Sequence, residues 1–112
     1  MAKRKNSEVT ASSGNVFADL ALSNPEERLA KVQIAFAIHK IAKDRGLSQA
    51  KAGLLMGIDQ PKVSKILHGR LSEFSAEWLL ARLLKMGLDI EIIVREQSRR
   101  RSGTGEISVV CT

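Results

Sequence analysis

The stretch Gln49-Ala50-Lys51-Ala52-Gly53-Leu54-Leu55-Met56-Gly57-Ile58-Asp59-Gln60-Pro61-Lys62-Val63-Ser64-Lys65-Ile66-Leu67 decides the fold. Ser48, just ahead of it, is an N-cap residue and predicts a helix over residues 49–56. Gly57-Ile58 turns the chain, and Asp59 caps a second helix from Gln60 to about His68, ended by Gly69. Two short helices that cross tightly need a small residue midway in the first, and Gly53 supplies it. Four residues on, the turn needs tolerance of positive φ, which Gly57 provides. Ile58 plugs the corner, and Val63 and Ile66, six and nine residues beyond Gly57, anchor the second helix to the first. Gly53 costs roughly 1 kcal/mol of helix propensity relative to alanine, so close approach matters there.

Working outward, Asn24-Pro25-Glu26-Glu27 is a helix start with an N-cap, a first-turn proline and two acids, and predicts a helix to about Arg45, stopped by Gly46. Its apolar residues form two stripes. Ile34, Ala37, Ile38 and Ile41 share one face, and Leu29, Val32 and Phe36 share another, with Gln33, Lys40 and Asp44 on the flank between them. The second stripe is expected either to pack within the domain or to dock the short apolar segment Val16, Phe17, Leu20, Leu22 or a partner protein. On the other side of the motif, Ser75 predicts a helix to Met86, stopped by Gly87, with Leu79, Leu80, Leu83 and Leu84 inward and Trp78 beside Arg82 and Lys85. Residues 88–95 then alternate with period two, placing Leu88, Ile90, Ile92 and Val94 on one face of a strand. A lone strand needs a partner, which is either residues 107–110 of the same chain or the same strand of a second subunit.

The second helix of the motif divides into an inward side, Val63, Ile66 and Leu67, and an outward side, Pro61, Ser64, Lys65 and His68, with Gln60 and Lys62 on the rims. A helix of this size fits the DNA major groove with its N-terminal residues nearest the base edges. Gln60 suits a bidentate pair with adenine, Lys65 guanine O6/N7, and the Pro61 ring a thymine methyl. Gln49, Lys51 and Lys62 are placed for phosphates, which position a protein without reading sequence. The candidate DNA-binding set is therefore Gln49, Lys51, Gln60, Pro61, Lys62, Ser64, Lys65 and His68.

The whole chain is consistent with this. Its 112 residues hold one compact domain, and the net charge of +6 favours a polyanionic partner, nucleic acid first. No apolar run is long enough for a bilayer, and the basic opening is not followed by the apolar stretch of a signal peptide. Cys111 is the sole cysteine, so no internal disulfide is possible; a reduced thiol and a cytoplasmic location are expected. His39, His68 and Cys111 are scattered, no carboxylate pair flanks a nucleophile, and no metal-ligand spacing exists, so neither an enzyme nor a metal or other cofactor is expected. Three regions are anticipated: an arm at 1–23, polar and disordered over 1–14; the domain at 24–96; and a basic tail at 97–112.

Over Gly46-Leu47-Ser48-Gln49 and Gly57-Ile58-Asp59-Gln60-Pro61-Lys62-Val63-Ser64 the chain resembles the Xre-type helix-turn-helix proteins. Its flanks, Gly14-Asn15-Val16-Phe17-Ala18-Asp19-Leu20, Leu71-Ser72-Glu73-Phe74-Ser75 and Lys85-Met86-Gly87-Leu88-Asp89-Ile90-Glu91-Ile92, are similar to the HigA-type antitoxin branch. The resemblance covers about residues 13–95. It implies a mainly α, four- to five-helix, lambda-repressor-like domain with a C-terminal β-strand. It further implies a homodimer on a palindromic operator that represses its own operon, and a RelE/HigB-like toxin as partner. Gly53, where the family more often has alanine, and the tail with Arg99-Arg100-Arg101 depart from the pattern. The competing reading is a stand-alone or phage-type regulator without a toxin.

Overall fold

The computed structural model of the chain describes residues 24–97 and 103–112. Among these, four helices follow one another: α1 (Asn24–Asp44), α2 (Gln49–Met56), α3 (Gln60–Leu67) and α4 (Ala76–Lys85). The caps fall where the sequence places them. Ser48, Asp59 and Ser75 each accept, through the side chain, from the amide three residues on, at Lys51, Lys62 and Trp78.

All four helices end in the same way. The amide after each terminal glycine reaches back five residues, as Leu47→Ala42, Ile58→Gly53, Arg70→Lys65 and Leu88→Leu83, while the glycine amide reaches back three. This pair of hydrogen bonds satisfies carbonyls the helix itself leaves open, and it is normally sealed by an apolar residue after the glycine. Leu47, Ile58 and Leu88 do this, each packed on the core. The fourth such residue, Arg70, is exposed instead.

The core is built from the first stripe of α1 (Ile34, Ala37, Ile38), Ala52 and Met56 of α2, Val63 and Ile66 of α3, and Leu79 and Leu83 of α4. Leu71 and Phe74 from the α3–α4 connection close it. Two of the four leucines expected inward on α4 are different: Leu80 is only partly buried and Leu84 is 54 % exposed. A helix of ten residues resting on one layer buries a narrow stripe, and Leu79 and Leu83 fill it.

Two long-range arginine contacts lock the bundle. Arg45 Nη1 donates to the Met86 carbonyl at 2.9 Å, and Arg82 Nη1 donates to the Met56 carbonyl at 2.9 Å. Each puts a cation on the carbonyl end of a neighbouring helix, where the helix dipole is negative. Arg82 also lies 4.4 Å above the Trp78 ring, which is itself stacked on Phe74 at 4.5 Å. Burial lowers the Arg82 pKa from its ordinary value, and an arginine remains charged there regardless.

The expected strand does not form among the described residues. Residues 88–97 and 103–112 carry no ladder. Leu88 and Ile90 rest on the core, but Ile92 and Val94 are 79 % and 91 % exposed. A strand is stable only when a neighbour takes its amides and carbonyls, and residues 107–110 do not play that part. Instead the Val109 amide donates to Gln33 Oε1 of α1 at 2.6 Å, and Val109 packs on the core. The second stripe of α1 is also not packed within the described domain: Leu29, Val32 and Phe36 are 52 %, 50 % and 68 % exposed. The arm at 1–23, with its apolar segment, lies outside the described residues.

Gly57 at φ +73° tests the turn. Gly57→Ala is expected to destabilise the protein by about 1–2 kcal/mol, the cost of a Cβ in the left-handed region, although only the Lys85 stem lies near the added atom. Gly57→Asn should lose less, since asparagine visits that region more readily. Urea unfolding of the two variants measures both, and an Ala variant as stable as the parent overturns this account of the turn.

Candidate nucleic-acid interface

The geometry of the site begins at the crossing of α2 and α3. A Cβ on Gly53 would meet the Ile58 carbonyl oxygen at 2.8 Å and Val63 Cγ2 at 3.2 Å. The backbone of α2 at Gly53 therefore lies directly against the turn carbonyl of Ile58 and the Val63 side chain of α3, and Val63 and Ile66 are fully buried. With that side of α3 fixed inward, the opposite side must face solvent. Gln60, Pro61, Lys62 and His68 are exposed, and Ser64 and Lys65 are partly so.

Within this surface the structure brings several of the sequence-predicted residues together. Gln60 Nε2 lies 3.5 Å from Gln49 Oε1, so the first residue of each helix touches the other. The bond is at the limit of useful length, but it orients the Gln60 amide and leaves its carbonyl oxygen free to accept. His68 Nδ1 is 2.8 Å from the Ser64 carbonyl, which can only accept. Nδ1 therefore donates to that carbonyl. Ser64 Oγ approaches the same nitrogen at 3.4 Å.

Lys65 does not stand free as the sequence suggests. Its Nζ is 2.6 Å from Glu73 Oε1, and the two side chains are 44 % and 45 % exposed. The α3–α4 connection folds Glu73 back against α3, a contact eight residues apart that helical periodicity does not foresee. Lys51 and Lys62 are exposed, and each engages its cap through the backbone amide alone, which leaves the ammonium groups available for anions.

Arg70 belongs to this surface and was missed. It borders an open depression of about 120 Å³ with Ser64, Lys65 and His68. The signal was present in the sequence: of the four residues that follow helix-ending glycines, three are apolar and this one is a cation. A second depression of about 290 Å³ lies toward α4, lined by Lys62, Glu73, Phe74, Ser75 and Trp78. The outward side of α3 is thus polar and hydrogen-bonding along its centre, with Lys51, Lys62, Lys65 and Arg70 around it. Asp59 is committed to its cap and Glu73 to Lys65. Such a surface can present hydrogen-bond donors and acceptors to base edges and cations to phosphates.

The comparisons with known proteins come out on the same ground. A family described as a helix-turn-helix domain matches residues 16–95. A solved structure named as a candidate XRE-family transcriptional regulator is similar at 38 % identity and a TM-score of 0.74, covering 80 % of this chain and 100 % of its own. No curated protein matches the chain.

Arg82 holds the frame of this surface from behind, and its loss is measurable through the one tryptophan of the chain. Arg82→Leu removes the bond to Met56, the bond from Nε to the Trp78 carbonyl and the stacking on the indole. We expect a destabilisation of about 2 kcal/mol and a shift in Trp78 emission in the folded state. An unchanged emission spectrum and unchanged stability would show that the clamp is idle.

Proposed function

This chain belongs to the helix-turn-helix domain family and to its XRE type, and from that premise we propose that it is a sequence-specific transcriptional repressor acting as the antitoxin of a toxin–antitoxin pair. The observation that carries DNA binding is the outward side of α3. It is polar along its centre, it is bordered by Lys51, Lys62 and Arg70, and the Gln49–Gln60 contact sets its leading side chain. With α3 in the major groove, Gln60 and Lys65 are the residues for base edges and Pro61 for a thymine methyl. Lys51, Lys62, Gln49 and Arg70 are the phosphate contacts, and Ser64 and His68 complete the surface. Lys65 reaches a base only by exchanging its Glu73 partner for it.

The toxin partner rests on the sequence of the flanks, whose resemblance to the HigA branch extends on both sides of the motif. A stand-alone regulator has the same DNA surface. The two part on whether a toxin-sized reading frame adjoins the gene and whether its product co-purifies with this chain. A mobility-shift assay on the chain's own promoter tests the DNA reading itself.

Homodimerisation belongs to the same proposal. Residues 88–95 present Ile92, Ile93 and Val94 to solvent with no ladder partner among the described residues. Antiparallel pairing of this segment with its twin satisfies both backbones and sets two α3 helices about one DNA turn apart, roughly 34–36 Å, for a palindromic site.

These assignments carry three predictions. For a dimer making about six to ten phosphate contacts, affinity should fall roughly 10³–10⁵-fold between 50 and 200 mM salt. Gln60→Ala should relax base preference by about 1–3 kcal/mol at one position per half-site, while Lys62→Ala and Arg70→Ala should weaken all sequences alike and flatten the salt slope. A flat salt profile in the parent protein sinks the DNA reading; a changed sequence preference in the Lys62 variant alone shows that α3 is oriented otherwise. For the dimer, Ile92→Asp should yield monomers in sedimentation, and truncation after Gln97 should leave the dimer intact. The reverse pattern places the interface elsewhere.

A further inference from the structure

Glu73 places a carboxylate on the outward side of α3, among side chains suited to an anion. It holds Lys65 at 2.6 Å and also borders the depression formed with Lys62, Ser75 and Trp78. Its place is fixed by the chain on both sides. Leu71 and Phe74 are buried, the Phe74 amide donates to the Leu71 carbonyl at 3.0 Å, and the Phe74 ring is stacked on Trp78. The backbone at Glu73 is thus anchored before and after it, and the carboxylate stays beside the two lysines.

That position has a cost on a DNA-facing surface. DNA carries one negative charge per about 1.7 Å of its axis, so a carboxylate turned toward it opposes binding unless it finds a donor of its own. Folding gains little from the pair, since both side chains are nearly half exposed and water screens them. What the couple does supply is a cationic donor and an anionic acceptor side by side. A G·C pair presents the complement in the major groove: acceptors O6 and N7 on guanine and, about 2.9 Å from O6, the N4 amine of cytosine.

We propose that Glu73 is a base-reading residue, and that Lys65 and Glu73 together read one G·C pair. This rests on the DNA-binding reading of α3. In the free protein the two side chains satisfy each other. Against a G·C pair the ion pair opens: Lys65 Nζ donates to guanine O6 and N7, and a Glu73 carboxylate oxygen accepts from cytosine N4. Each end exchanges one partner for another, and neither charge is left bare. The reversed pair, C·G, sets the amine against the ammonium and O6 and N7 against the carboxylate, so both contacts fail together. T·A offers the lysine O4 alone and ranks second. A lysine by itself, a point charge on a flexible stem, takes any acceptor, phosphates included. The carboxylate is what makes the orientation of the base pair matter.

The test compares the full chain with Glu73→Gln, Glu73→Ala and Lys65→Ala. Urea unfolding checks that each variant folds like the parent. Each is then titrated by fluorescence anisotropy against the chain's own promoter duplex and against every single base-pair reversal of it. In the parent, reversing one G·C pair per half-site should cost roughly ten- to a hundredfold in affinity. An amide can accept from N4 or donate to N7, so Glu73→Gln should cut that penalty about five- to tenfold and leave the other positions as they were. Glu73→Ala should cut it as well, and Lys65→Ala should act at the same base pair. A Glu73→Gln chain that binds all duplexes more tightly, with the position profile unchanged, makes Glu73 only a partner of Lys65 and overturns the proposal. So does a Glu73 effect at a base pair that Lys65→Ala does not touch. A parent chain that distinguishes no duplex from another overturns the DNA reading itself, and the unmodified chain alone reports that failure.

Discussion

The outward side of α3 depends on one missing carbon. At Gly53 the Ile58 carbonyl occupies the space a side chain would need, 2.8 Å from where a Cβ would stand. With the turn carbonyl and the Val63 side chain pressed against Gly53, α3 packs with Val63 and Ile66 inward. Rotating α3 by a residue would put Lys62 or Ser64 into the core, where an unpaired polar group costs on the order of 1–3 kcal/mol or more. The polar face of α3 is therefore outward because its apolar face has nowhere else to go. Gly57 and the bond from the Ile58 amide to the Gly53 carbonyl carry the same constraint around the corner.

A crossing between two eight-residue helices cannot hold itself, since helices so short are marginal alone. The two arginines supply what is missing. Arg82 ties α4 to the end of α2 immediately before the turn, and Arg45 ties α1 to the end of α4. The outer helices thus brace the motif through carbonyls that helix geometry leaves unsatisfied. Trp78 serves as the platform for Arg82 and not as a lone apolar residue, which explains why a large aromatic sits off the leucine stripe of α4.

The local signals were legible in the sequence and the long-range ones were not. Ser48, Asp59 and Ser75 act within three residues of themselves, and the terminal glycines within five, so a linear reading finds them. The inward pair Val63 and Ile66 follows from helical period. Lys65 paired with Glu73 depends on how the α3–α4 connection folds back, and Arg45 and Arg82 reach across 41 and 26 residues. No periodicity encodes those. The alternation over residues 88–95 is a true pattern of strand chemistry, but a ladder is a property of two segments, and one chain's pattern cannot say where the second comes from. Arg70 lies between these cases: its place after a helix-ending glycine was visible, and its meaning came only from comparison with Leu47, Ile58 and Leu88.

Read together, the exposed apolar residues separate two kinds of surface. The outward side of α3 carries none beyond Pro61, whereas α1 shows Leu29, Val32 and Phe36 and the C-terminal segments show Ile92, Ile93, Val94 and Val110. Leu54 and Leu55 of α2, within the motif, and Leu84 of α4 are the exceptions. On the proposed reading of α3, an apolar patch there would lose its hydration cost only against bases, and would blunt the electrostatic attraction that brings a basic protein to DNA. Placed on α1 and beyond α4, the same residues leave the outward side of α3 untouched. A domain this small buries too little surface to hide all its apolar residues. Where they are left out is therefore informative: the outward side of α3 is kept polar, and the apolar surface that remains lies mostly on α1 and in the C-terminal segments.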